Sequence, residues 1–141
     1  MTLYLLDTNM VSYIINGHSP AARLRLASLQ RANDHAAGVS SITAGEILFG
    51  LARLESMGDG QRKRKAIDQL FSALPIHPWD RAAAEVYGRL RAQQESMGKP
   101  LGPFDTQIAA HALLLAATVV SHDGDFRLVA GLPVEDWATD L

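Results

Sequence analysis

Leu3-Tyr4-Leu5-Leu6 is an apolar run that stops on Asp7, followed by Thr8-Asn9 and then a new apolar pattern. Such a run is too short for a helix and matches a strand buried on both faces. In open α/β sheets, ligands gather outside the carboxyl ends of the strands, so an Asp in the last strand position stands where a site is expected. Asp and Thr are also preferred helix N-caps, so either residue suits the start of the helix that follows.

The remainder of the chain continues this alternation. Met10, Val11, Ile14 and Ile15 have helical spacing and end at Asn16-Gly17, a C-terminal stop. Ser19-Pro20 opens a second helix with Leu24, Leu26, Ala27 and Leu29 on its apolar side. Ala36 to Val39 predicts a short strand ending at Ser40-Ser41, and the pattern from Ile42 to Leu54 a helix closed by Met57-Gly58-Asp59-Gly60. A further helix runs from Gln61 to about Leu74, and Pro75-Ile76-His77-Pro78 is extended because residues before proline leave the helical region. Asp80 caps a long helix to Met97-Gly98, Lys99-Pro100-Leu101-Gly102-Pro103 breaks the chain, and Pro103 opens the helix bearing Ile108, Ala109, Ala112, Leu113 and Ala116. Thr118-Val119-Val120-Ser121 is the clearest β-branched strand. Strands alternating with helices predict an α/β fold with a central parallel sheet flanked by helices on both faces.

At 141 residues, 48% of them hydrophobic, the chain suits one domain, 1–141, with a sizeable core. Thirteen Lys and Arg against fifteen Asp and Glu give a net charge of −2, so any contact with a phosphate backbone must be local. The absence of cysteine excludes disulfides and thiolate metal sites and suits a reducing cytoplasm. Asp7 interrupts the N-terminal run before a signal-peptide core forms, and Ala112 to Val120 is too short to span a bilayer; a soluble chain is expected.

On this frame Asp7 ends the first strand, Glu46 falls in the first turn of the helix after the second strand, Asp105 in the first turn of the helix opened by Pro103, and Asp123 just beyond the last clear strand. A doubly wound sheet brings all of these to one edge. Each has a local explanation as well: Thr43-Ala44-Gly45-Glu46 matches a capping box, Asp105 complements a helix dipole, and Asp123 precedes a turn glycine. Together they require more, because two like charges about 4 Å apart cost on the order of 4 kcal/mol at an effective dielectric of 20. A pocket of carboxylates needs a cation, and oxygen ligands alone select Mg²⁺ or Mn²⁺.

The LLDTN motif, the Glu of SSITAGEIL, the Asp of GPFDTQIA and the VVSHDGDF segment with its closing VEDW resemble a PIN-domain ribonuclease, and more narrowly the VapC toxins of bacterial toxin–antitoxin pairs. The resemblance runs nearly end to end. It implies Asp7, Glu46, Asp105 and Asp123 as catalytic metal ligands for Mg²⁺ or Mn²⁺, with Thr8, Asn9 and Ser121 as polar neighbours. It also implies cleavage of structured RNA such as tRNA or rRNA loops, a VapB-like antitoxin inserted beside the acidic pocket, and a homodimer. Ser121-His122 stands where the family more often has Thr and Asn, which makes Asp125 a candidate to share the role of Asp123.

Of the basic residues, Arg62-Lys63-Arg64-Lys65 spreads around a helix rather than along one side, since successive positions turn by about 100°. Arg23, Arg25, Arg53, Arg89 and Arg91 are candidates to flank the acidic pocket and hold RNA. Met10, Ile14, Ile15, Leu26, Leu29, Phe49 and Leu51 are candidates for an exposed partner groove. The histidines lie in separate segments and form no metal set, and His122 fits an ordinary strand end. Two other functions compete. A haloacid-dehalogenase-like phosphohydrolase wants a second Asp two residues after Asp7, where this chain has Asn9; a non-catalytic PIN-like binding module would have an acidic pocket that has lost its metal, and the intact carboxylates at all four positions count against it.

Overall fold

The computed structural model describes residues 2–32, 36–98 and 101–141, and for Ala36 the backbone alone. Among them a parallel sheet runs in the order β3-β2-β1-β4-β5, built from β1 (Leu3–Leu6), β2 (Ala36–Ser40), β3 (Ile76–His77), β4 (Thr118–Val120) and β5 (Val134–Glu135). The helices are α1 (Thr8–Asn16), α2 (Pro20–Ala32), α3 (Ser41–Ser56), α4 (Gln61–Ala73), α5 (Arg81–Ser96) and α6 (Pro103–Leu115). Lys99 and Pro100 of the expected chain break lie outside the described residues.

β1 lies at the centre because both of its faces are apolar. Tyr4 and Leu6 pack with Met10, Val11, Leu26 and Ile67 on one face, while Leu5 packs with Ile108, Ala109, Val119 and Phe126 on the other. Successive strand residues alternate between faces, so one short run nucleates two layers. Each fully buried aliphatic side chain contributes roughly 1.5–3 kcal/mol.

From β1 the chain moves outward through β2 to β3, then returns to the other side of β1 for β4 and β5. The order therefore reverses between β1 and β4, where open parallel sheets leave a crevice. The register Leu6↔Val120 places Asp7 beside Ser121 at that point, and the Asp7 N–H donates to Val120 O at 3.0 Å.

Helix boundaries follow local chemistry. Asp7 caps α1, its Oδ1 accepting from Met10 N–H at 2.8 Å, and Gly17 ends it with φ +71°. Ser19 Oγ accepts from Ala22 N–H ahead of Pro20, Asp80 accepts from Ala83 N–H, and Pro103 opens α6.

The expected capping box at Thr43–Glu46 does not form. β2 continues to Ser40, whose Oγ accepts from Ile42 N–H at 3.1 Å and caps α3. Glu46 therefore lies in the second turn, out of reach of the helix N-terminus. The segment Pro75–Pro78 includes an edge strand, and β5, absent from the expectations, completes the opposite edge. Most of the apolar residues expected to line a groove are core instead: Met10, Ile14, Leu26, Leu29 and Leu51 are buried, Ile15 is half-buried, and Phe49 is exposed.

Candidate metal centre

Asp7 is 3% exposed, an unusual place for a carboxylate. Its Oδ2 accepts from Ser121 Oγ–H at 2.6 Å, while Oδ1 serves the helix cap. Burial lifts its carboxyl from 3.8 to about 6; the Ser121 and Met10 hydrogen bonds pull it down, and the charges of Asp105 and Asp123 push it further up. One oxygen makes the cap that the sequence allowed, and the other is held by Ser121.

Asp105 occupies the first turn of α6, half-buried, with no hydrogen-bond partner among the described residues. Burial raises its carboxyl, and Asp123 and Asp125 raise it further. Ser121 joins the strand end to the acidic turn: its hydroxyl donates to Asp7 and accepts from Asp123 N–H at 2.9 Å. Asp123 Oδ1 accepts from Asp125 N–H at 2.9 Å and caps a 3₁₀ turn at Gly124–Leu128. Asp7, Asp105, Asp123 and Asp125 thus form one electrostatic group.

Glu46 stands to one side of that group. It lines, with Thr8, Ser12, Arg53, Leu54 and Lys63, a groove of about 270 Å³ between α1, α3 and α4. Thr8 Oγ1 lies 3.4 Å from Thr43 Oγ1, tying the start of α1 to the helix that bears Glu46. Asn9 is exposed beside them.

The donor set suits a hard divalent cation. Ser121 supplies a hydroxyl oxygen against Asp7, and the charges of Asp105 and Asp123 oppose the ionisation of Asp7. Among the described residues no three acidic or imidazole groups close into a ready-made cage. Mg²⁺ tolerates that arrangement, because it keeps several waters and uses only one or two protein carboxylates.

Several basic residues are engaged away from the acidic group. Arg23 donates to Ile14 O at 2.6 Å; Arg25 lies over the Tyr4 and Trp137 rings and pairs with Glu135; Arg91 bonds Tyr87 and Glu95. Arg64 pairs with Glu55 and Asp68. Arg89 lines a recess with Val86, Gln93 and Leu113, leaving Arg53 and Lys63 as the cations that share a groove with Glu46. His122 pairs with Asp136 at 2.8 Å and stands edge-on to Tyr13, a strand-end tether. Sequence reasoning missed the Ser40–His111 contact, at 2.8 Å, whose one signal was an imidazole amid the alanines of α6.

The PIN-domain family model matches residues 4–132. The chain is 30% identical over 139 residues to the tRNA(fMet)-specific endonuclease VapC of Shigella flexneri, covering 98% of this chain and 100% of that one. It is 34% identical over 140 residues to ribonuclease VapC2 of Haemophilus influenzae, covering 97% and 99%. Among solved structures it is similar to VapBC2 from Rickettsia felis bound to a DNA fragment from their promoter, with a TM-score of 0.87 at 28% identity over 96% of this chain and 99% of that one. DNA-bound VapBC from Salmonella typhimurium gives 0.85 at 28% identity over 97% and 99%. A parallel sheet that gathers acidic residues at its switch point, matched nearly end to end by these ribonucleases, places the chain in the PIN-domain family, among the VapC-type ribonucleases.

Proposed function

We propose that the chain is the endoribonuclease toxin of a VapBC-like pair, hydrolysing phosphodiester bonds in structured RNA at an Mg²⁺- or Mn²⁺-dependent acidic site. The observation that carries this is Asp7: a buried carboxylate at the sheet's switch point whose ionisation is opposed by burial, Asp105 and Asp123. Asp7, Asp105 and Asp123 would hold the ion, with Asp125 beside them and Glu46 approaching from the groove wall. A divalent ion there supplies charge against the developing phosphoryl negative charge and acidifies water. The protein's part is orientation: Ser121 and the Met10 N–H fix the plane of the Asp7 carboxylate, and Ser121 also holds the Asp123 turn. Arg53 and Lys63 provide charge for a phosphate backbone in the groove.

Full-length VapC relatives and the VapBC complexes among its structural neighbours support an antitoxin partner. We place its seat on the same groove, where Ile15, Ile47 and Met57 supply apolar surface, so that an inserted segment excludes RNA. A homodimer in the cytoplasm completes the proposal; among the described residues, no helix is long and apolar enough to cross a membrane. The test is cleavage of a tRNA and rRNA panel with Mg²⁺, with Mn²⁺ and with excess chelator. Metal-dependent internal cuts that disappear in Asp7→Asn are expected; undiminished cleavage in chelator overturns the metal site.

A further inference from the structure

The apolar side of α6 carries Ile108, Ala109, Ala110 and Ala112, yet His111 among them is 1% exposed. Its Nδ1 lies 2.8 Å from Ser40 Oγ, itself fully buried. That hydroxyl accepts from Ile42 N–H, and among the described residues the ring nitrogen is the one acceptor within hydrogen-bond distance of its own proton. Ser40 therefore donates, and His111 is neutral with its proton on Nε2. Trp79 stands edge-on to the imidazole, centroids 5.6 Å apart, while its own backbone N–H donates to Ser41 Oγ at 3.0 Å. His77, paired with Ser40 in the β2–β3 register, has a buried Nε2 with no partner among the described residues. Burial and then His77 hold His111 below the ordinary imidazole range against the opposing pull of Asp80, consistent with a neutral node.

The node joins the two helices that bear acidic residues of the site. Asp105 lies six residues before His111 on α6, and Glu46 six residues after Ser40 on α3. Each carboxylate is thus about 9 Å along its helix from the contact. No other side-chain hydrogen bond among the described residues links α6 to the start of α3.

We propose that His111 is a positioning residue: through Ser40 it locks α6 to the capped end of α3 and so sets the separation of Asp105 and Glu46 around Asp7. This rests on the proposal above that those carboxylates serve one reaction. The test compares His111→Leu, which fills the space without the bond, with His111→Asn, whose amide reaches the position of Nδ1. His111→Leu is expected to lower kcat at least tenfold with KM for RNA within twofold, and to weaken Mn²⁺ binding measured by calorimetry; His111→Asn should return both to within about threefold. Amide exchange at Thr43–Glu46 and Phe104–Thr106 should quicken in the first variant and recover in the second. If His111→Leu fails to fold, Ser40→Ala removes the same bond but also the α3 cap, so its losses support the proposal only where His111→Met, which keeps that cap, reproduces them. A folded His111→Leu or Ser40→Ala with wild-type kcat, Mn²⁺ affinity and exchange overturns the proposal. Should the wild type neither bind Mn²⁺ nor cut RNA, the acidic-site function fails, and amide exchange alone then decides the clamp: unaltered exchange in the variants rejects it.

Discussion

Asp7 has its charge set against its surroundings. A carboxyl raised from 3.8 to about 6 favours the protonated folded state, so its stabilising contribution is complete below about pH 4 and is lost as pH rises through 6. The difference amounts to about 3 kcal/mol, since one pKa unit is about 1.36 kcal/mol. Asp7→Asn keeps a good N-cap. Metal-free Asp7→Asn should therefore melt several degrees higher than wild type at pH 7.5 and lose most of the pH dependence of melting between pH 4 and 6, while cleaving no RNA. Scanning calorimetry across that range checks it; an unchanged pH profile would show that Asp7 ionises freely. Glu46 gives a second, independent case. It makes no cap, so Glu46→Gln should leave the metal-free melting temperature equal or higher, shrink the rise on adding Mn²⁺, and cut cleavage by orders of magnitude. Full activity with an undiminished Mn²⁺ shift would remove Glu46 from the site.

Between elements, close approach decides. At Gly38 in β2 an added Cβ would lie 2.8 Å from both His77 Nε2 and Pro75 O, inside contact distance. The two-residue strand β3 hangs on that approach through Val39 N–H to Pro75 O at 3.0 Å. Overpacking of this kind typically costs about 1–3 kcal/mol. Gly38→Ala should lower stability by that amount and speed amide exchange at Val39, with the far β4–β5 edge unaffected. Equal exchange across both edges would mean that β3 yields without strain.

Across the whole molecule, charge is nearly balanced at −2, and among the described residues Arg23, Arg25, Arg64, Arg81 and Arg91 are engaged by neighbouring groups. RNA affinity should then depend only modestly on salt. Two phosphate contacts, at Arg53 and Lys63, give a slope of log affinity against log salt of roughly −1.4 for a single strand, at about −0.7 per contact. Titrations of an uncleavable RNA with Asp7→Asn at several salt concentrations measure it. Arg53→Ala with Lys63→Ala should bring the slope close to zero, and a slope several times steeper in wild type would locate RNA on another face.

The strand-then-Asp run at Leu3–Asp7, the Pro103 start of α6, the Asp80 cap and the β-branched strand before Ser121 were legible in the sequence, because each depends on neighbours a few residues away. The gathering of Asp7, Asp105 and Asp123 at one sheet edge was legible too, once alternation implied a parallel sheet. What tertiary structure alone decided were the contests between partners distant in the chain. Thr43–Glu46 fitted a capping box until β2 extended to Ser40 and took the cap. The very short β3 and β5 are held by distant partners, Val39 N–H donating to Pro75 O, and Val119 and Ser121 N–H to Pro133 and Glu135 O. His111 resembled any apolar-face residue until its contact with Ser40 formed across the fold. Local propensity and pattern determine where elements start and stop, but a hydrogen bond between groups dozens of residues apart is decided by which surfaces the packed core brings together.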